Sequence, residues 1–365
     1  MKIVCYLNTL HSGGAERVMS VLANGLNRLG HSVTMVTDYF SSDDYYLDEG
    51  VERVVFEKEA TRAMRKGRLG RTLSRITKLR KICREKKAEI LISFMEDINS
   101  RALLATWGLK VKNLISVRID PRQLLKSRTR RLQIKWLYPM ADGCVYQTED
   151  AKQSMPAKLH KKSRVIFNPV SDTFYGVQGL PGTEKRVVSC GRLASQKRFD
   201  LLIDAFSKVC AEFPEHKLEI YGTGGDEEKL QKQIEDLGRQ DRIFLMGRCE
   251  DIPNALKNAG LFVLSSDFEG LPNALMEAMA LHLPVVSTDC GGGGARALIE
   301  DGVDGQIVPC GDVDALAEAI RQNLADPESA KQRGKKAGEK AKGFSTEKIV
   351  IQWERYIRQI VNGKE

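Results

Sequence analysis

Short, continuous apolar runs separated by amphipathic stretches constrain the fold of this chain more than any other feature. Strict apolar/polar alternation, the mark of a half-solvated antiparallel sheet, is scarce. Continuous runs of four or five residues instead fit strands buried on both faces, which occur in parallel sheets whose crossovers are helices. In the first half such runs fall at 3–7, 33–37, 90–94, 114–117 and 143–146, with a helix expected over 14–29. The second half repeats the theme at 186–190, 217–221, 243–246, 261–264 and 284–287, with helices near 199–212, 227–237, 252–258 and 273–281. The expected fold class is α/β: two doubly wound, Rossmann-like domains. Pro, Gly and polar residues replace periodic sequence over 168–184, so the domains are expected at 1–170 and 171–344. A last helix over 345–365, with Ile349, Trp353, Ile357 and Ile360 on one face, is expected to pack back on the first.

With 365 residues and 42% hydrophobic content, the chain has enough apolar side chain for two cores, which excludes a disordered or fibrous protein. Its eight cysteines include no C-x-x-C pair, so free thiols in a reducing compartment are expected rather than a disulfide framework or a zinc site. The N-terminal MKIVCYL reads as a strand and not as a secretory signal. No apolar stretch approaches the ~18–20 residues that span a bilayer. A cytoplasmic protein, peripheral at the inner face of the cell membrane, is therefore expected.

The net charge of +9 is unevenly placed. Residues 1–170 hold 32 Lys+Arg against 17 Asp+Glu, or +15, which leaves 25 against 31, or −6, for the rest. Residues 62–87 contain twelve bases and one acid, Glu85, with Leu69, Leu73, Ile76, Leu79 and Ile82 at helical spacing. A second acid-free stretch, 122–135, carries Arg122, Lys126, Arg128, Arg130, Arg131 and Lys135 beside Trp136 and Tyr138. Such segments are attracted to an anionic membrane surface by about 1 kcal/mol per basic residue. Nucleic acid would also attract them, but no specific nucleic-acid partner is expected. A solvated helical face that packs on its own domain is the plain alternative.

Several strand-to-helix turns could carry chemistry. Gly13 and Gly14 follow the first strand, where backbone N–H groups and a helix N-terminus can approach a phosphate; a tight turn explains them equally. Asp38 follows the second strand, yet no G-x-G-x-x-G is present, so a nicotinamide site is not expected. After the run at 186–190 comes a turn with Arg192 and Lys197, a guanidinium and an ammonium suited to a diphosphate, or else two surface bases. Tyr221, Gly222, Thr223, Gly224 and Gly225 form a Gly-rich turn after the next strand. The stretch from Ser265 to Ala278 is the richest. Pro272 suits a first helical turn, so Gly270, Leu271, Pro272 and Asn273 would present N–H groups at a helix start, with Glu269 ahead of it and Glu277 inside. Paired carboxylates there can accept hydrogen bonds from sugar hydroxyls. They equally fit a solvated helix-start acid and a surface Glu.

Gly13-Gly14-x-Glu16, Gly191-Arg192 followed by Lys197, and Glu269 with Glu277 in E-G-L-P-x-x-x-x-E resemble, in that order, the motifs of family 4 glycosyltransferases of the GT-B architecture. The resemblance spans nearly the whole chain. It implies two domains facing across a cleft, the second binding a nucleoside-diphosphate sugar and the first presenting a glycan acceptor. It implies that Arg192 and Lys197 hold the diphosphate, Glu277 the ribose hydroxyls, and Glu269 the donor sugar, helped by the backbone at Gly270, Leu271 and Asn273. Gly13 and Gly14 would approach the donor from the first domain. It also implies retention of configuration and no metal or other cofactor. The five His form no H-x-x-x-H pair, and the one D-x-D, Asp312-Val313-Asp314, reads as a capped helix start.

One departure stands out. Where many family members carry a His after a middle strand of the first domain, this chain has Ser116-Val117-Arg118-Ile119-Asp120-Pro121. With Glu16, Arg118 and Asp120 are candidates for the cleft or acceptor site; Arg118 and Asp120 could instead be an Arg/Asp pair that fixes the turn before Pro121. The expected activity is transfer of a hexose or N-acetylhexosamine from a nucleoside-diphosphate sugar, UDP-linked by expectation, to a lipid-linked or other glycan acceptor in polysaccharide or glycoconjugate synthesis. A nucleotide-sugar epimerase on the same architecture, or a non-catalytic polyanion-binding scaffold, would use much of the same sequence.

Overall fold

A computed structural model describes residues 1–11, 13–57, 68–177 and 179–363. The chain divides into two compact units: Met1–Pro169 with Thr346–Glu365, and Val170–Ser345.

In unit 1 the order is β1 (Lys2–Leu7), α1 (Gly14–Arg28), β2 (Ser32–Tyr39), β3 (Glu52–Glu57), α2 (Arg68–Glu85), β4 (Ile90–Phe94), α3 (Glu96–Thr106), β5 (Lys112–Ser116), α4 (Pro121–Leu125), α5 (Arg128–Trp136), β6 (Gly143–Tyr146), α6 (Glu149–Gln153) and β7 (Ser163–Val165). These strands form one parallel sheet, β3-β2-β1-β4-β5-β6-β7. Strands β3 and β7 were not expected from sequence. Half-polar β3 and three-residue β7 are edge strands, so neither leaves a continuous apolar run.

Unit 2 contains α7 (Asp172–Gly176), β8 (Arg186–Cys190), α8 (Phe199–Val209), β9 (Lys217–Tyr221), α9 (Glu227–Asp236), β10 (Ile243–Gly247), α10 (Ile252–Leu256), β11 (Leu261–Leu264), α11 (Asn273–Ala280), β12 (Val285–Thr288), α12 (Gly294–Leu298), β13 (Gln306–Val308), α13 (Val313–Ala325) and α14 (Pro327–Ala341). Its parallel sheet runs β10-β9-β8-β11-β12-β13. In each sheet the strand order reverses beside the first strand, between β1 and β4 and between β8 and β11. Such reversals open a crevice at the carboxyl ends of the strands.

The last helix, α15 (Thr346–Asn362), belongs to unit 1. Ile349, Trp353, Tyr356 and Ile357 join Ile3, Leu7, Leu22 and Ile92 in one core cluster, and the Trp353 ring lies 5.6 Å from Phe94. Trp353 is fully buried.

The first basic segment folds differently from a free amphipathic helix. Residues 62–67 lie outside the described residues, and α2 buries Leu79, Ile82 and Cys83 while Leu73 is exposed. Several of its bases turn inward: Arg75 pairs with Asp38 at 3.1 Å, and Arg80 donates to the carbonyls of Ala105 and Trp107 at 3.0 and 2.7 Å. In the second segment, α5 leaves Leu132 and Trp136 exposed at 58% and 66%, beside exposed Arg128, Arg131 and Lys135. No helix among the described residues is long and apolar enough to cross a membrane.

Candidate active site

The strand ends at the reversal of the unit 2 sheet converge. Gly191 follows β8, Gly222 follows β9, and the loop 265–272 follows β11. Two of these turns touch backbone to backbone. A Cβ on Gly222, whose φ is 139°, would lie 1.9 Å from the Gly191 carbonyl oxygen, so glycine is required there. Its N–H donates to the Gly247 carbonyl at 2.8 Å.

Lys197 ends the turn after β8. Arg198 adopts the left-handed conformation, φ 50°, and is held by Asp200 and Asp267 at 3.1 and 3.2 Å. Lys197 Nζ meets Glu269 Oε1 at 2.6 Å across the β8/β11 boundary, with both side chains largely buried. Ser266 Oγ donates to the same carboxylate oxygen at 2.8 Å. The backbone locks the two loops together: Asp267 N–H donates to the Gln196 carbonyl at 3.0 Å, Ser265 Oγ to the Lys197 carbonyl at 2.8 Å, and Gln196 Nε2 to the Phe268 carbonyl at 2.7 Å. One Lys197 donor is spent on Glu269. The two others remain for a ligand, as does Glu269 Oε2.

Arg192 is exposed, and its side chain has no partner among the described residues. It projects a full positive charge into solvent beside that turn. Glu277 lies in the second turn of α11 and is 5% exposed, held in a largely buried stretch with Leu275, Met276 and Met279. The two acids differ in setting: Glu269 is tied to Lys197, and Glu277 is nearly enclosed. Pro272 stands at the N-cap of α11, so the helix begins at Asn273, the start that its sequence suggests. Leu271 and Pro272 are buried; Gly270 and Asn273 are half-buried. Against this loop packs the turn after β12, where a Cβ on Gly294 would lie 2.9 Å from the Gly270 carbonyl. Cys290 in that turn is buried, and burial pushes its thiol up to about 12, which keeps it neutral and unreactive.

Ser266 and Gln196 did not emerge from the sequence as site residues, although they orient Glu269 and its loop. For Ser266 a signal exists: Ser266 and Glu269 form an S-x-x-E spacing, which brings hydroxyl and carboxylate together.

In unit 1, Gly13 is the N-cap of α1, with Gly14 opening the helix, and the Glu16 carboxylate folds back until Oε2 would touch a Cβ on Gly13 at 1.8 Å. Asp120, 2% exposed, accepts the Arg122 N–H at 3.0 Å as the N-cap of α4, and its carboxylate pairs with Arg122 rather than with Arg118. Asp312 caps α13 by accepting the Ala315 N–H at 2.9 Å, and Asp314 pairs with Lys208. The D-x-D is thereby committed to structure.

Two parallel, doubly wound units, one with cation, carboxylate and helix N-terminus gathered at its sheet reversal, share the fold of GT-B proteins. The group 1 glycosyl transferase model matches residues 171–340 and the glycosyltransferase family 4 model residues 12–174, and the chain belongs to this family. Over 365 residues it is 27% identical to a Campylobacter jejuni GalNAc-alpha-(1->4)-GalNAc-alpha-(1->3)-diNAcBac-PP-undecaprenol alpha-1,4-N-acetyl-D-galactosaminyltransferase, covering 99% of each chain. It is 33% identical over 231 residues to an exopolysaccharide phosphotransferase of Streptomyces coelicolor, spanning 62% of this chain but 24% of that protein. Among solved structures, Anabaena HepE in complex with UDP superposes with a TM-score of 0.80 at 18% identity, covering 98% and 100% of the two chains, which is a likeness of fold.

Proposed function

We propose that this protein transfers a hexose or N-acetylhexosamine from a UDP-sugar to a lipid-linked or other glycan acceptor, with retention of configuration and without a metal. The observation that carries the reading is the Lys197–Glu269 pair across the β8/β11 reversal, with Arg192 unpaired nearby. A diphosphate leaving group needs positive charge that is already in place. Arg192 and the two remaining Lys197 donors supply it, and the backbone N–H groups at the start of α11 add a favourable dipole. Glu269 fixes the Lys197 ammonium and keeps one oxygen for a sugar hydroxyl. Glu277 is assigned to the ribose hydroxyls. HepE, whose fold is shared, is seen with UDP, and the full-length Campylobacter relative is named for an undecaprenol-linked acceptor. Both support the donor and acceptor classes proposed. The basic face of α5, with exposed Leu132 and Trp136, supports an assignment to an anionic membrane surface, and we infer a peripheral enzyme at the inner face of the cell membrane.

The test is a thermal-shift screen of nucleoside-diphosphate sugars followed by turnover assays. A donor at about one hundred times its Kd adds ~2.7 kcal/mol of stability. Arg192→Ala with Lys197→Ala is expected to lower kcat by roughly 10²–10³-fold, and Glu277→Ala to raise donor KM. Near-normal kinetics in both variants, or an epimerised sugar formed from donor alone, would refute the assignment.

A further inference from the structure

Arg118 follows β5 in unit 1, and among the described residues no carboxylate pairs with it. Other arginines of unit 1 are matched: Arg53 with Asp44, Arg75 and Arg101 with Asp38, Arg130 with Asp97. The guanidinium of Arg118 instead lies 3.9 Å above the Phe94 ring centroid and 5.8 Å from that of Trp353. Its Nη1 donates to Asn168 Oδ1 at 2.8 Å, and Gln147 Nε2 donates to the same oxygen at 2.8 Å. Nε and Nη2 are buried and make no hydrogen bond; neither does Gln147 Oε1. A buried donor without an acceptor costs ~1–3 kcal/mol, and a buried unpaired charge costs more. A methionine would fill the same space on Phe94 without either cost.

The two unused donors have a particular geometry. Nε–H and one Nη2–H point the same way along one edge of the guanidinium, the edge that grips a carboxylate or phosphate through two parallel hydrogen bonds. Nη1 is already anchored, so that edge is fixed in direction. The residue as a whole is half-buried, although Nε and Nη2 are themselves buried. It sits at the carboxyl end of β5, beside β4, where parallel sheets receive ligands. The neighbouring Met95, directly after Phe94, is held at φ 71°, ψ 152°, a conformation that costs a non-glycine residue about 1–3 kcal/mol and persists where the surroundings enforce it.

We propose that Arg118 is an oxyanion clamp: its Nε/Nη2 edge takes a carboxylate or phosphate group of a ligand of unit 1, while Asn168, itself bonded to Gln147, holds the guanidinium in place. The anion site stands on unit 1 alone. That its ligand is the acceptor rests on the glycosyltransferase reading.

Trp353 gives a local readout. Replacing the exposed Trp107 and Trp136 by Phe leaves it as the single tryptophan of the chain's three. In that background, with saturating UDP to occupy unit 2, the full-length protein is titrated with glucuronate, with glucose 1-phosphate and with glucose. A saturable change in Trp353 fluorescence is expected with at least one of the two anions and none with glucose; glucuronate alone identifies a carboxylate, glucose 1-phosphate alone a phosphate. Arg118→Met is expected to abolish the response without lowering the thermal midpoint, because it removes a buried unpaired charge. Arg118→Lys keeps the charge but loses the fork, so a roughly tenfold weaker response is expected. No response to either anion in the parent protein, or an undiminished one in Arg118→Met, would overturn the proposal. A parent response that Arg118→Lys and Arg118→Met leave equally strong would place the anion elsewhere. A donor screen that fails leaves this titration readable, so the two readings fail separately.

Discussion

The side chains that hold unit 1 and those that serve the candidate site differ in how their charges are matched. Asp38 is fully buried at the end of β2, where Arg101 and Arg75 meet it at 2.5 and 3.1 Å and Tyr6 donates to it at 2.8 Å. Burial beside that carboxylate pushes the Tyr6 hydroxyl up, which keeps it a donor. The sequence gives no reason to expect a nicotinamide site at Asp38, and the structure gives this residue a structural task. Asp38→Ala leaves two guanidinium groups without their carboxylate, and a loss of about 3–5 kcal/mol is expected. Chemical denaturation of the variant measures it. A change under about 0.5 kcal/mol, typical of surface substitutions, would contradict the network. Arg192 is the opposite case: exposed and unmatched, it can be removed at little cost to folding.

Elements show where periodicity stopped being informative. The Leu79 and Ile82 stripe of α2 was legible as apolar helix spacing, and so was the run of bases around it. Which bases face water was not, because Arg75 and Arg80 bend to a carboxylate and to carbonyls supplied by β2 and the end of α3. Tertiary partners remote in sequence decide that. The five-residue α4 and the nine-residue α5 that follow Asp120 lie in a stretch whose lack of acids does not reveal helices, although Asp120 before Pro121 is an N-cap signal. On α5 the exposed Leu132 and Trp136 lie one turn apart beside Arg128, Arg131 and Lys135. Sedimentation with anionic vesicles is expected at low ionic strength and should weaken as salt shortens the Debye length from about 10 Å towards about 3 Å. The double variant Leu132→Ser, Trp136→Ser should lose most binding; retention of full binding would remove α5 from the membrane face.

At the scale of the molecule, pH reports on burial. His31, His216 and His282 all have pKa values held below the usual histidine range, in each case chiefly because burial disfavours the charged ring. The unfolded chain then binds protons more readily than the native one below about pH 6.5, so the stability these neutral rings permit is present above that pH and lost as pH falls. The thermal midpoint is expected to drop between pH 7 and pH 5.5, and His216→Gln to flatten that drop. A midpoint that rises on acidification would contradict the sign.

The chain's own pattern determined much of what can be seen: two α/β halves from unbroken apolar runs, an α15 face from Ile349, Trp353 and Ile357, the turns that hold Arg192, Lys197 and Glu269, and the helix that carries Glu277. Periodicity and turn chemistry are local, and local sequence suffices for them. Tertiary structure alone decided that Lys197 pairs with Glu269, that Glu277 is nearly enclosed, that Asp120 serves α4, and that Arg118 is left with a buried, unspent edge. Ion pairs and burial depend on which strand ends are neighbours, and that is set by sheet order, a property of distant segments brought together.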